Sequence, residues 1–155
     1  YDPSTGGDDV TPVVPPGTKR TIGGKTYKYL KFNNGAGNVA AVAGGVGYWF
    51  DADFDPPTIT TDESDTIGGL NAVAGAFNNV PTDGRFCWVQ TGGYHAGVKS
   101  AASTAAGDAM IGSTTDTVCG RTAANTAPTN QVVAWSMGAR DGTALTNPCY
   151  LVIDE

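Results

Sequence analysis

The stretch RFCWVQTGGYH, residues 85 to 95, crowds a thiol, an indole, a carboxamide, a phenol and the chain's one histidine into a single short run. Histidine is the usual general base near neutral pH, and a cysteine beside it would supply the nucleophile of a small hydrolase. That chemistry needs Cys87 and His95 within hydrogen-bond reach and an acid or amide to orient the imidazole. Neither a GxSxG elbow nor a family-like cysteine signature occurs. Read as a strand, residues 85 to 91 turn Phe86, Trp88 and Gln90 one way and Cys87 and Val89 the other, so Trp88 and Cys87 cannot share a site. Gly92 and Gly93 are then expected to turn the chain into a second strand, Tyr94 to Lys99, leaving His95 at the mouth of a hairpin or in an interface.

The other reactive groups divide in the same manner. Cys87, Cys119 and Cys149 sit in FCW, VCG and PCY contexts with no CxxC; they read as small buried hydrophobes in a reducing environment, with at most one disulfide possible. Asp51, Asp53 and Asp55 in DADFD have the spacing that opens a calcium loop. Pro56 stands where the loop needs glycine, however, and Asp62 where it needs glutamate. On a strand these three aspartates would share one solvated face. Asp62, Glu63 and Asp65 in TDESD suggest a glycosidase pair only if two carboxylates lie about 5–5.5 Å apart across a cleft; an exposed acidic turn is the simpler reading. Trp49, Trp88 and Trp135 would make a sugar-stacking platform if they were exposed. Their neighbours (YWF, CWV, AWS) favour core packing instead. No GxGxxG before a helix and no GxxxxGK[ST] supports a phosphate site.

These residues must be positioned by a chain whose composition favours strands. Its 155 residues include 22 glycines, and only 15% are charged, against about 25% in an average domain. β-branched residues and turn formers are plentiful, and the expected class is all-β: a compact barrel or sandwich of short strands with at most one short helix. The formal net charge of −6 makes nucleic acid and anionic membrane poor partners. The most apolar run, AVAGGVGYWF, is too short to span a bilayer. No cofactor is expected.

Two regions are expected, an extended Pro/Gly/Asp-rich arm over residues 1–18 and a single β-rich domain over 19–155. The arm's four prolines exclude a helix and a central strand. If it is ordered, a neighbouring subunit is the expected holder. KTYKYLKFNN alternates as a half-buried strand. GNVAAVAGGVGYWFDADF reads as one or two strands, and TITTDESD as a threonine-rich strand with an acidic turn. In GGLNAVAGAFNNVP, Leu70, Val73 and Phe77 have helical spacing, with a strand pair bent at glycine as the alternative; Gly75 weakens the helix by about 1 kcal/mol relative to alanine. Further strands are expected at Ala109–Ile111, Gln131–Ala139 and Cys149–Ile153.

In this order, KTYKYLKFNNGAG, FNNVPTDGRFCWVQTGGY, the AAGDAMIGS turn, and VVAWSMGARDG followed by PCYLVID resemble a family of small tailed-bacteriophage virion proteins of the capsid decoration, or cement, type. The resemblance covers about residues 24 to 153. It implies a non-enzymatic structural protein, made in the host cytoplasm and carried on the outer capsid surface, where it bridges neighbouring major capsid subunits as a homotrimer. The contacts expected on this reading are Asp2, Pro3, Val10, Pro12, Val13, Val14, Pro15 and Pro16 of the arm and an exposed rim at Tyr27 and Tyr29. The alternative is a carbohydrate- or receptor-binding domain of a tail or fibre.

Overall fold

The computed structural model describes residues 3, 7–66, 72–122, 126–128, 130–141, 143 and 145–153, and for residues 51–54 the backbone alone. The fold is all-β. In chain order the strands are β1 (Asp8–Asp9), β2 (Lys19–Ile22), β3 (Lys25–Asn33), β4 (Val46–Phe54), β5 (Pro57–Thr60), β6 (Val73–Phe77), β7 (Phe86–Lys99), β8 (Ala109–Ile111), β9 (Gly120–Thr122), β10 (Val132–Ser136) and β11 (Thr146–Val152). The described helical structure is one 3₁₀ turn at Glu63–Asp65. No helix among the described residues is long and apolar enough to cross a membrane.

Five strands close on themselves. β3 pairs in parallel with β5, β5 with β4, β4 with β6, β6 with β7, and β7 returns to β3. Each strand in this circuit uses both edges, which makes a small barrel and removes its edge-strand liability. Leu30, Phe32, Ile59, Phe77, Cys87 and Val89 fill its interior. The Phe32 and Phe77 rings meet edge to face at 5.6 Å, a favoured aromatic geometry.

β7 is long enough to leave the barrel. Its second half pairs with β11, and the sheet continues through β10 and β8 to β9. The inner face of this extension packs on the barrel wall. There Val46 and Tyr48 of β4 and Val73 and Ala76 of β6 meet Val98, Met110, Ala134, Cys149 and Leu151. A third cluster lies outside the barrel, where Tyr27, Tyr29, Phe86 and Trp88 pack together with Val14 of the arm against them.

Two expectations fail here for physical reasons. The helical spacing at Val73 and Phe77 belongs to β6, while Leu70 lies outside the described residues. β6 is buried on both faces, and a strand covered on both sides loses the alternation that separates it from a helix. A side-chain carbon on Gly75 would lie 2.6 Å from Val89 Cγ2, so the glycine serves the close approach of β6 to β7. The hairpin at Gly92–Gly93 is absent as well, since β7 continues through both glycines with a register shift against β3. A side chain on Gly92 would press on Thr26, and Gly93, at φ +82°, passes against Gly24 and Lys25. Glycine suits a close crossing of backbones as well as a turn, and here it marks where β7 leaves the barrel for the extension.

Candidate functional site

His95 points into the core between the extension and the barrel. It stands directly across from Cys149 on β11 and is buried. The Gly97 N–H donates to its Nδ1 at 3.2 Å, which leaves Nε2 as the protonated nitrogen of a neutral ring. Burial lowers its pKa, and the charge of Lys25 adds to that. Beside it, the Asn147 amide donates to Cys149 Sγ at 2.8 Å. The set Cys149, His95 and Asn147 has the residue types of a thiol hydrolase. Its electrostatics oppose that chemistry, because burial pushes the Cys149 thiol up to about 12 while the imidazole resists protonation, so the thiolate–imidazolium pair is disfavoured in both partners. Cys87 is not the partner of His95. It faces the barrel interior, eight residues away along an extended strand, roughly 25 Å at 3.2–3.4 Å per residue. Burial raises its thiol pKa, as it does that of Cys119. All three cysteines are free and buried.

The acids of TDESD knit loops together. Asp62 caps the 3₁₀ turn by accepting from Ser64 N–H at 3.1 Å and from its hydroxyl at 2.5 Å, and its second oxygen accepts from Gly37 N–H at 2.6 Å. Asp65 accepts from Ala36 N–H at 2.5 Å. The Ser64 hydrogen bond, with the Gly37 N–H, holds the Asp62 carboxyl below its ordinary range despite burial. Gly35 and Gly37 are glycines because a side-chain carbon at either would collide with Asp62. Asp51 and Asp53 lie on β4, where side chains are outside the described residues; Asp55 is exposed beside Pro56.

The arm does not wait for a neighbour. β1 pairs antiparallel with the start of β7. Asp8 accepts from Thr82 N–H at 2.6 Å and faces Arg85 at 3.6 Å, the Tyr29 hydroxyl donates to Asp9 at 2.7 Å, and Gly17 N–H donates to the Tyr29 carbonyl at 2.7 Å. Beneath this strap Tyr27 and Tyr29 are buried, at 1% and 0% exposure, so the expected exposed rim is instead an interior layer. Alternation along β3 located these tyrosines on one face, but only the returning arm determines that the face is covered. Along the arm Pro3 is buried, Val14 and Pro16 are half-buried, and Val10, Pro12, Val13 and Pro15 are exposed. Asp2 lies outside the described residues.

The tryptophans part company. Trp88 is buried against Tyr29, with ring centroids 5.0 Å apart and the Arg20 guanidinium 5.6 Å from its ring. Trp49 packs on the barrel core beneath the Lys28 ammonium, 4.7 Å from its ring. Trp135 is 47% exposed, against the expectation of core packing. It pairs with Tyr150 of β11, which pairs in turn with Tyr94 of β7, and these tyrosines are 44% and 46% exposed. Directly opposed residues on neighbouring strands share a sheet face, so the three form one outward row, with exposed Met137 two residues along β10's line from Trp135. Each ring shows in the sequence as a large aromatic between inward neighbours: Ala134 and Ser136 around Trp135, Cys149 and Leu151 around Tyr150. The register that joins them across three strands has no local signal.

No family model, curated protein or solved structure matches the chain.

Proposed function

We propose that the chain is a structural protein of a tailed-phage virion, carried on the outside of the capsid, where as a homotrimer it joins neighbouring major capsid subunits. The observation that supports this reading most is the arm edge. Val10 and Val13 stand exposed on a strap whose Gly7 carbonyl and Asp8 carboxylate are bound by Asn79 and Thr82, the loop that also carries exposed Val80. Exposed valines on the arm and on the loop that holds it suit contact with another protein. An arm already fastened to its own domain meets a partner in an ordered state, so little ordering cost falls on binding. The thiols and the imidazole, by contrast, are buried within the cores.

The test pairs Val10→Asp with Val13→Asp in one variant and adds it to shells lacking the protein. Both side chains are exposed, so the unfolding temperature should stay within a few degrees of the parent while binding to shells is lost. Binding equal to the parent overturns the arm contact. Antibody labelling of intact particles should cover the head surface; label confined to tail or fibres overturns the capsid reading. A carbohydrate- or receptor-binding role is the second reading, favoured by the bare aromatic row on the extension.

A further inference from the structure

We propose that the Trp135–Tyr150–Tyr94 row is a binding platform for an uncharged polysaccharide chain. The three rings lie in register on β10, β11 and β7 and span two strand spacings, about 10 Å, a length comparable to two linked sugar rings. Pyranose rings present C–H faces that are apolar and weakly positive, and aromatic faces carry the complementary negative quadrupole. The Tyr94 and Tyr150 hydroxyls and the Trp135 indole N–H form no hydrogen bond with another described residue, which leaves polar edges beside the stacking faces for sugar hydroxyls.

The charge pattern selects a neutral ligand. β10 and β11 contain no ionisable carboxylate, amine or imidazole, and on β7 His95 turns inward while Lys99 is the last residue of the strand. The flanking Met137, Pro148, Val152 and Ala96 are uncharged too. Around this neutral strip the chain carries a net charge of −6, which repels acidic polymers. Area argues against a protein occupant. Three half-exposed rings offer roughly 300 Å², well short of the roughly 800 Å² that each partner contributes to a stable protein interface. The proposal is independent of the capsid reading and holds wherever in a particle the chain sits.

Native electrophoresis through gels containing dextran, galactomannan or mixed-linkage β-glucan tests it, with the intact chain, Trp135→Ala and Tyr150→Ala run side by side and unfolding temperatures measured for each. The intact chain should be retarded in at least one gel, and each variant should lose affinity about tenfold or more while remaining folded. Unretarded migration of the intact chain in all three gels overturns the proposal, as does equal retardation of both variants. If no gel retards the intact chain but both variants fail to add to shells that the intact chain decorates, the row is a protein contact and the polysaccharide platform is excluded.

Discussion

The two halves of β7 each carry aromatic side chains, on opposite faces of the strand because the register shifts between Gln90 and Gly92, and they meet different fates. Phe86 and Trp88, in the barrel half, lie with Tyr27 and Tyr29 under the strapped arm. Tyr94, in the extension half, lies beside Tyr150 and Trp135 and faces outward. Both halves present an aromatic row two or three strands wide. The difference is the cover: nine residues of arm, Asp8 to Pro16, close one row and no described segment closes the other. An aromatic row on a sheet is therefore core or contact surface according to what is laid over it, and the arm makes that choice for the barrel half.

Truncating one tryptophan on each half breaks the comparison most sharply. Trp88→Ala removes a ring that is 2% exposed and should cost about 3–5 kcal/mol in urea denaturation, whereas Trp135→Ala on the bare half should cost less than about 1 kcal/mol. Equal costs would mean that the bare row is covered too. Removal of residues 1 to 16 should convert the covered half into a second bare one. Losing β1, Val14 and the charge-assisted bond from Tyr29 to Asp9 is expected to lower stability by about 2–4 kcal/mol and to increase binding of a hydrophobic dye, with Trp88 emission shifting to the red. Unchanged stability would show that the arm merely rests on the barrel.

Acid should loosen the same cover more gently. Burial alone would raise the Asp8 pKa, but the Thr82 hydrogen bonds and the Arg85 guanidinium hold it below its ordinary 3.8. A carboxyl with a depressed folded-state pKa contributes stability that is complete above the unfolded value and is lost as pH falls through the folded one. Asp62 is depressed in the same direction. Stability should therefore be level near neutrality and fall below about pH 4. Asp8→Asn should remove the Asp8 share of that fall, a small effect because the group is near the surface, and the Trp88 emission should report it. An acid response identical in Asp8→Asn and the parent would detach Asp8 from the strap.

The all-β class was legible from abundant glycine, scarce charge and alternation in KTYKYLKFN, and Ala109–Ile111 falls where its turn signals put it. Alternation along residues 86 to 90 correctly separated Trp88 from Cys87, because period two is a local property of extended backbone. The failures share one cause. Gly92–Gly93 reads as a turn or as a close crossing in identical letters, and the nearby Gly24 and Lys25 backbone decides between them. Val73 to Phe77 reads as helix or strand until both of its faces are known to be covered.

The candidate sites follow the same rule. His95 was visible as a reactive type, but its neighbour Cys149 lies far off in sequence and is set by the pairing of β7 with β11. Trp135, Tyr150 and Tyr94 were each visible as aromatics on strands. Their union into one exposed row required the order β10–β11–β7, which arises from packing the extension against the barrel. Composition and period two by themselves determined that this chain makes strands and which side chains share a strand's face, because those depend on backbone geometry and nearest neighbours. Tertiary structure alone decided which faces are covered, since long-range pairing and the return of the arm join residues whose separation along the chain leaves no periodic trace.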